Sequence, residues 1–576
     1  MPIRWAYLKR VLAGAIFGLY MAHLLYLLNP QVDITPGRLA IVTIVYGLTC
    51  GLLFGSILWI LRVLRVKLFG PPVEEGAYRA HGFGFIVLAA FLAAGSYWIH
   101  LLVFRTDRYL PLGAVRILSK STNLITVVAF LLLLLWVGER NANRTTSRAI
   151  FVIAAVIIAV SSFFLYERRD SYRTDVRSVV VANIGTVAGQ RPVIVIAIRN
   201  LPYDWIVTLD GEGRLPFLSH IRSRAYFTRV EPFSTTTPKA LWASLATGKL
   251  PYQHGVAGRF SYRTALNGSG QSDRFLILPS GVGFSAWGLI PPVQRISAQL
   301  PSGDALPFWS MFERLSFPSA VVGWPSNPAR GASRVVTDRF LSTHDVSHEV
   351  EPAGYGAIAG GMMQAPSPAT MQRFNVGETA RQRIVRGLTG DLSAMALVRA
   401  AASERKFELN VVALEGMSEA QKALHIYTND LPARSTPKGE SIRAYAEQID
   451  RMLESVSRDF PDHLLVVVSP SGPMPPDIPS NVFAIGRELV DPTDPGADDG
   501  FMFVSGPGVT HRTRVDSALV VDLVPTLLYA AGLPVARDMD GRVLVDAFDD
   551  ELLRSNMLSA IQTYEAKQVI VKRNPG

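Results

Sequence analysis

The first third of the chain contains five long apolar runs, and they constrain its fold more than any other feature. Most reach the roughly 20 residues that a helix needs to cross the hydrocarbon core of a bilayer. One such run alone is typical of a buried core helix or a signal peptide, but five in succession predict a membrane domain. The runs are Leu8–Leu28, Leu39–Leu61, Phe83–Phe104, Thr122–Val137 and Ala149–Tyr166.

The basic residues between the runs indicate an orientation. With a cytoplasmic N-terminus, the inner segments carry about twice as many Lys and Arg residues as the outer loops, as the positive-inside rule requires. Because the number of spans is odd, everything after Tyr166 then lies on the far side. We therefore predict a multi-pass protein of the inner or plasma membrane with a periplasmic or extracellular C-terminal domain.

Charge and cysteine content exclude several classes of function. The net charge of +10 suits contact with anionic lipid headgroups. No dense basic run with interleaved aromatic residues is present, so we predict no nucleic-acid partner. Cys50, the only cysteine, lies in the second apolar run. The chain therefore cannot form an internal disulfide, and thiol chemistry is absent outside the membrane segment.

From Arg191 onward, short apolar runs alternate with amphipathic stretches, which is typical of an α/β domain. "RPVIVIAI", "LNVVALEG" and "HLLVVVS" predict strands buried on both faces of a mixed, mostly parallel sheet between helices. "PKALWASLATG" predicts a helix with Pro238 in its first turn and Gly248 at its end. The predicted divisions are a membrane domain (1–167), a connector (168–191), an exported domain (192–548) with cap insertions at about 261–382, and a tail (549–576).

Four stretches of this domain resemble the alkaline phosphatase superfamily, in particular its type I phosphodiesterase/nucleotide pyrophosphatase and sulfatase branches. They are "VIVIAIRNL", "TTTPKALWASLATGKLPYQHGV", "VVVSPSG", and "SGPGV" followed by "VVDLVPTLLYAAGLPVARDMDGRVL". The resemblance runs from about Val193 to Asp546 and predicts an alkaline-phosphatase-like α/β domain after the five transmembrane helices. It also implies two metal ions, usually zinc, held by Asp and His, which activate a Ser, Thr or modified Cys nucleophile.

The residues at the family's ligand positions cannot perform that role. The Asp that ends the first strand is replaced by Arg199, and the nucleophile position falls on Pro238. The family's Asp-x-x-x-His pair is replaced by Ser418 and Lys422, and the Asp-His of its third strand by Pro470-Ser471. The segment before "FMFVSGPGV" contains no histidine. We therefore predict no metal cofactor.

The leading hypothesis is a membrane-anchored pseudoenzyme that binds an anionic ligand or an envelope partner. Arg199 would place a permanent charge near the helix N-terminus at Thr237 and Lys239, and together they could hold a phosphate or sulfate headgroup. Lys422 and Ser471 complete the candidate ligand-binding set. The expected partners are the lipid bilayer, an anionic lipid headgroup or envelope polymer, or a protein. In the opposing interpretation, Arg199 only fills the site by pairing with an acid such as Asp204.

Two alternatives stay open. The chain could be an active hydrolase with Thr237 as nucleophile and two zinc or manganese ions, although Thr237 also suits a helix N-cap. Its layout is similar to lipoteichoic acid synthases and lipid A phosphoethanolamine transferases, which suggests a lipid phospho-headgroup transferase. It could instead be a structural subunit of an envelope complex. His344 and His348 of "THDVSHE" are weak metal candidates without a third ligand.

Overall fold

The computed structural model describes most of the chain. The described residues are 3–32, 35–70, 81–106, 110–139, 144–167, 179–184, 191–233, 238–256, 260–264, 274–276, 293–297, 305–325, 331–343, 349–404, 406–473, 498–510, 512–513 and 517–573.

The α-helices and strands of these residues are numbered in chain order. The helices are α1 Ile3–Leu28, α2 Pro36–Phe69, α3 His81–Thr106, α4 Leu112–Glu139, α5 Arg144–Glu167, α6 Tyr203–Gly211, α7 Pro216–Arg222, α8 Pro238–Thr247, α9 Pro251–His254, α10 Phe308–Arg314, α11 Asp338–Thr343, α12 Gly356–Gly361, α13 Pro368–Gln372, α14 Glu378–Ser403, α15 Gly416–Leu424, α16 Pro437–Asp459, α17 Leu523–Ala530 and α18 Asp550–Ser555. The strands are β1 Val179–Ile184, β2 Val193–Ile198, β3 Tyr226–Glu231, β4 Phe260–Thr264, β5 Arg274–Phe275, β6 Val293–Ser297, β7 Ser319–Val322, β8 Arg334–Val336, β9 Val350–Glu351, β10 Leu409–Leu414, β11 Leu464–Ser471, β12 Asp499–Ser505, β13 Arg512–Thr513, β14 Ala518–Leu519, β15 Val535–Ala536, β16 Ala560–Ile561 and β17 Gln568–Arg573.

The chain divides into two compact units, and the first contains the five N-terminal helices. Each of α1 to α5 is long and apolar enough to cross a membrane, which confirms the predicted membrane helices. Polar contacts join three of them in the bundle interior. The Tyr97 hydroxyl on α3 donates to the Tyr20 carbonyl on α1 at 2.9 Å, and the Tyr20 hydroxyl meets Ser161 Oγ on α5 at 2.9 Å. The predicted orientation of these helices stays a prediction.

A small antiparallel sheet of order β5-β4-β6 also belongs to the first unit. The Leu276 amide beside this sheet donates to Asn29 Oδ1 at 2.7 Å, just after α1. The Phe275 ring meets the Tyr26 ring edge-on at 5.6 Å between centroids. Strands β4, β5 and β6, which lie within or just before the range that the sequence analysis assigned to a cap, therefore belong to the same unit as the helices. The other predicted domain boundaries stay predictions.

The second unit is built on a sheet that has ten strands in the part of the chain that the structure describes. Its order is β13-β3-β12-β11-β2-β10-β7-β8-β9, and β14 also pairs with β3. The central strands β11, β2, β10, β7 and β8 are parallel, while β12 and β9 run antiparallel to their inner neighbours. The mixed, mostly parallel sheet is thus confirmed. Strands β7 to β9 come from within the predicted cap region, so that region also extends the main sheet.

Helices cover both faces of this sheet, as the unbroken apolar strands require. In β2, Val193, Val195 and Ala197 pack with α8, α10 and α17, whereas Ile194, Ile196 and Ile198 pack on the other face with α6, α14, α15 and α16. All of β2, β10 and β11 is buried. Such a sheet presents its polar groups mainly where the strands end, so a ligand site is expected at those ends.

Candidate functional site

The register of two central strands places Arg199 beside Glu415. Strands β2 and β10 pair in parallel with Ile198 opposite Leu414, so the next residue of each strand emerges at the same edge. Arg199 Nη1 donates to Glu415 Oε2 at 2.7 Å, and the side chains are 20% and 27% exposed. An ion pair thus stands where the resemblance places a metal-binding Asp. Asp204, the partner suggested from sequence, instead accepts a hydrogen bond from Arg229 at 2.9 Å.

The ion pair leaves part of its hydrogen-bonding capacity unused. Arg199 Nε and Glu415 Oε1 are buried and have no hydrogen-bond partner among the residues that the structure describes. Asp338, at the start of α11, lies close enough to interact with Glu415. Burial and then the Glu415 charge raise the pKa of Asp338 above its usual range. This edge of the sheet therefore contains more acidic than basic side chains.

The loop after β2 is fixed to helix α15. Asn200 adopts a left-handed conformation with a φ of 62°, which asparagine tolerates better than most residues. Its Nδ2 donates to Ser418 Oγ at 3.1 Å, and its carbonyl accepts from Gln421 Nε2 at 2.7 Å. Ser418, which the resemblance assigns to a metal-binding Asp of the family, secures this loop. The sequence analysis did not identify Asn200 or Gln421, because nothing local indicates their contact with the loop.

A buried carboxyl group supports the start of α15 from behind. Asp391 Oδ1 accepts from the Gly416 amide at 3.0 Å, and Asp391 Oδ2 accepts from the Tyr445 hydroxyl at 2.9 Å. Burial raises the pKa of Asp391 to about 7 against the lowering effect of these hydrogen bonds. Gly416 has no room for a side chain, since a Cβ would lie 1.7 Å from the Tyr445 hydroxyl. Glu415 is thereby held at a fixed place.

The hydroxyl group of Ser469 makes two hydrogen bonds at the end of β11. Ser469 Oγ accepts from the Leu201 amide at 3.1 Å and donates to the Ser471 carbonyl at 3.0 Å. Ser471, a candidate ligand-binding residue, is only 1% exposed. Pro470 carries no donor or metal-binding atom. The positions that the resemblance assigns to the family's Asp-His are thus the last residues of β11, and they are buried within the sheet.

The remaining candidates are spread over separate parts of the second unit. Lys239, the second residue of α8, is exposed and has no ion pair among the described residues. Lys422 Nζ contacts Glu419 Oε1 at 2.6 Å on the surface of α15. Thr237, His344 and His348 lie outside the described residues. The structure thus brings Arg199 together with Glu415, and it places Lys422 in a separate surface pair.

Several aspartates lie near the ends of β11 and β12, and an arginine neutralises two of them. Arg229 donates to Asp204 at 2.9 Å and to Asp499 at 3.2 Å. Burial, followed by the charges of Asp204, Asp499 and Asp430, raises the pKa of Asp498 to about 6. Within the described ranges, no group of three or more His, Cys, Asp or Glu side chains is arranged to hold a metal ion. These residues do not fit the two-metal centre that the family implies.

The motif that follows α8 is retained, and its histidine is structural. His254 is fully buried and its Nε2 lies 2.8 Å from Ser244 Oγ on α8. The Val256 amide donates to His254 Nδ1 at 3.2 Å, so the ring proton resides on Nε2 and is donated to Ser244. Burial and then the Lys249 charge lower the pKa of His254 to about 3. This histidine is neutral and connects α9 to α8.

A buried ionic cluster lies just beyond the C-terminal end of α8. Lys249 Nζ contacts Asp538 Oδ2 at 2.8 Å and Glu565 Oε2 at 2.9 Å. The exposed fractions of the three side chains are 3%, 6% and 6%. Burial alone would lower the pKa of Lys249, but Glu565 and Asp538 hold it above its usual value. The cluster fixes the C-terminal segment against α8.

The adjacent "MDG" of the C-terminal segment is also structural. Asp540 accepts hydrogen bonds from the Leu250 amide at 2.7 Å, the Tyr252 hydroxyl at 2.8 Å and Gln253 Nε2 at 2.9 Å. A Cβ on Gly541 would lie 2.0 Å from the Val521 carbonyl oxygen. Both residues are thus required by the close packing of this segment.

Five apolar helices followed by this sheet, with its retained motifs, define a membrane protein of the alkaline phosphatase superfamily. The model of the type I phosphodiesterase / nucleotide pyrophosphatase family matches residues 193–487, slightly more than half of the 576-residue chain. The chain belongs to this family. No curated protein sequence matches it significantly.

Solved structures of the superfamily resemble part of the chain at low identity. Murine ectonucleotide pyrophosphatase/phosphodiesterase 5 is 10% identical with a TM-score of 0.35, and the match covers 62% of this chain and 100% of that one. A putative sulfatase from Bacteroides thetaiotaomicron is 13% identical with a TM-score of 0.38, covering 63% and 76%. A lipoteichoic acid synthase from Listeria monocytogenes is 12% identical with a TM-score of 0.33, covering 63% and 78%.

Proposed function

We propose that this protein is a membrane-anchored, catalytically inactive member of its family that acts by binding an anionic ligand. The observation that carries the proposal is the Arg199–Glu415 ion pair at the position of a family metal ligand. A guanidinium has no lone pair for a metal, and its permanent charge repels one. Without a metal at this edge, neither activation of a nucleophile nor stabilisation of a transferred phosphoryl group has a counterpart in the described residues.

The chemistry of Arg199 suggests a phosphate or sulfate group as the ligand. A guanidinium binds such groups through two parallel charge-assisted hydrogen bonds, and Arg199 Nε has no partner among the described residues. Glu415 and Asp338 oppose an anion at this edge, so the ligand would have to displace Glu415 from the guanidinium. Lys239 is a separate exposed cation at the start of α8, where the helix dipole also favours negative charge.

The test is a calorimetric titration of inorganic phosphate and sulfate into the full chain in detergent. We expect wild-type protein to bind one of them and Arg199→Gln to lose about tenfold or more in affinity, the equivalent of one lost charged hydrogen bond. Arg229→Gln is the matched control, because Arg229 also pairs with acids at a strand end. Equal affinity in Arg199→Gln, or no binding by the wild type, would overturn the anionic ligand and favour a protein partner or a structural subunit.

The family match favours an active enzyme as the second candidate. Residues 193–487 include Thr237, the residue that sequence analysis places at the start of α8 as the alternative nucleophile. Such an enzyme would hydrolyse a phosphodiester or sulfate ester, or transfer a lipid phospho-headgroup. Turnover of bis(p-nitrophenyl) phosphate that is abolished by both a chelator and Thr237→Ala would establish this candidate. Turnover that persists in Thr237→Ala would point to a contaminating hydrolase.

A further inference from the structure

Two apolar side chains project from a short loop near the C-terminus. Met557 is 86% exposed and Leu558 is 60% exposed. Within the described residues of the second unit, no other large apolar side chain is as exposed as either. Exposed methionine and leucine side chains next to each other cost free energy in water unless another surface covers them. Single exposed apolar residues are common, so the structure around the pair decides its meaning.

The loop is fixed at both ends, so the two side chains are held outward. Asn556 is buried, its Nδ2 donates to the Tyr529 carbonyl at 2.6 Å, and its carbonyl accepts from the Tyr529 hydroxyl at 2.9 Å. On the other side, the Ser559 carbonyl accepts from the Val535 amide at 2.9 Å. Only two residues separate these anchors. A preorganised apolar tip loses little conformational entropy when it binds a surface.

The tip is attached to a two-stranded sheet that also exposes apolar residues. Ser559 Oγ donates to the Asn183 carbonyl at 3.1 Å, which joins the loop to β1. Strand β1 pairs in parallel with β17, and Val181 lies opposite Ile570. These two are 43% and 40% exposed, and Val179 on the same face of β1 is 44% exposed.

Four cations lie in or next to the elements that carry the tip and the sheet. The exposed side chains of Arg537, Arg554, Lys567 and Lys572 have no ion pair among the described residues. Arg554 lies three residues before Met557 in the sequence, and Lys572 lies opposite Asn183 in the sheet. The acids Asp550 and Glu551 lie at the opposite end of α18 from Arg554. Apolar groups flanked by unpaired cations are what a membrane-surface element presents to anionic lipids.

Chain connectivity limits how far β1 is from the membrane. Val179 is the twelfth residue after Glu167, where α5 ends. Even a fully extended chain of that length spans only about 40 Å. The strand that holds the tip is thus attached to a membrane-spanning helix by a short tether.

We infer that the Met557–Leu558 tip and the exposed face of β1 and β17 form a lipid-docking surface. The tip enters the headgroup region of the bilayer, and the four cations contact anionic lipid phosphates. This inference is independent of whether Arg199 binds an anion.

The test uses the single-cysteine character of the chain. In a Cys50→Ser background, Leu558→Cys is labelled with a nitroxide, and the full chain is placed in nanodiscs of phosphatidylcholine and phosphatidylglycerol. Ile358→Cys is the matched control, since Ile358 is an exposed apolar residue of α12, at 52%. Collision with a water-soluble nickel reagent and with oxygen is measured by electron paramagnetic resonance. We expect the label at 558 to be several-fold less accessible to nickel, and more accessible to oxygen, than the label at 358.

Lipid charge and partner proteins are distinguished by the same label. We expect the label at 558 to become more accessible to nickel when phosphatidylglycerol is left out, or when Lys567 and Lys572 are both changed to Gln. Equal nickel accessibility at 558 and 358 in the anionic nanodiscs would overturn the inference. So would a label that leaves water only after an envelope protein extract is added, because the surface would then bind protein rather than lipid.

Discussion

Two regions of the second unit that carry motifs of the family differ in how deeply their charged groups are buried and in how completely these groups are paired. At the Arg199 edge, the residues differ from the family's metal ligands, the ion pair is a fifth to a quarter exposed, and two polar atoms lack partners among the described residues. Around Lys249, beyond α8, the motif residues remain, and the charged groups are almost completely buried and paired. The motif residues around Lys249 take part in packing and buried ion pairs, and they therefore indicate the fold.

The largest expected effect is on the Lys249 cluster. Lys249→Met leaves the buried carboxylates of Asp538 and Glu565 without their cation, and we expect a loss of about 3–5 kcal/mol in the free energy of unfolding. Thermal melting of the detergent-purified protein measures it. Lys239→Met, at an exposed lysine, is the control and should change stability by less than about 0.5 kcal/mol. Equal melting temperatures for the two variants would show that the buried Lys249 cluster contributes no more to stability than an exposed lysine does.

A smaller effect is expected from the "MDG" packing. Gly541→Ala places a Cβ where the Val521 carbonyl oxygen lies, and the backbone must shift to accommodate it. We expect a destabilisation of about 2 kcal/mol, typical of overpacking. Gly390→Ala in α14 meets no atom within 4 Å and should instead stabilise its helix slightly. The same melting experiment compares them, and a harmless Gly541→Ala would show that this segment is loosely packed.

The support behind Glu415 predicts a pH effect. Because the pKa of Asp391 is raised to about 7, folded protein keeps a proton between pH 4 and 7 that unfolded protein has lost. Its contribution to stability is therefore complete below pH 4 and falls as pH rises to 7. When the pH rises from 5 to 6, the free energy of unfolding of the wild-type protein should fall by up to about 1.4 kcal/mol more than that of Asp391→Asn.

Urea unfolding at the two pH values measures this difference. The control is Asp462→Asn, at an exposed carboxyl group, which should keep the wild-type slope. An unchanged slope in Asp391→Asn would mean that Asp391 is ionised in the folded protein, and that Glu415 is held by a charged support rather than a neutral one.

The smallest stability effect is expected at the Arg199 edge itself. Glu415→Gln removes the partner of a partly exposed ion pair, so we expect a loss below about 1 kcal/mol. The same change should strengthen phosphate binding, because the guanidinium no longer has a competing carboxylate. Glu419→Gln, which breaks the surface pair with Lys422, should change neither quantity. If Glu415→Gln lowered the free energy of unfolding as much as Lys249→Met does, the two regions would not differ in their contribution to stability.

Sequence patterns predicted the fold well because its signals are local. The five apolar runs, the buried strands β2, β10 and β11, and helix α8 after Pro238 all follow from composition and periodicity over a few residues. The replacement of the family's ligand positions stays a prediction, which rests on the strand or motif that each position follows. The bounds of the predicted cap stay a prediction, and irregular composition alone does not show that β7 to β9 join the main sheet.

The contacts of the site could not be predicted from the sequence. Arg199 was identified, but its partner depends on β10 being the neighbour of β2, which only the strand order decides. Glu415 ends its strand as Arg199 does, and this is the one local indication of their pairing. Lys249 shows no sign of its partners, because Asp538 and Glu565 lie about 290 and 316 residues further along the chain. Long-range pairing of charges is set by tertiary packing and not by local pattern.

We infer that this chain does not hold the two metal ions of its family, and metal content tests this inference most directly. The full chain is purified in detergent, incubated with zinc, manganese, magnesium and calcium, desalted, and analysed by elemental mass spectrometry. We predict that the wild-type protein contains no more zinc or manganese than the Arg199→Gln variant or the buffer does. About two equivalents of zinc or manganese per chain, the number that a two-metal phosphoryl-transfer site requires, would contradict the account.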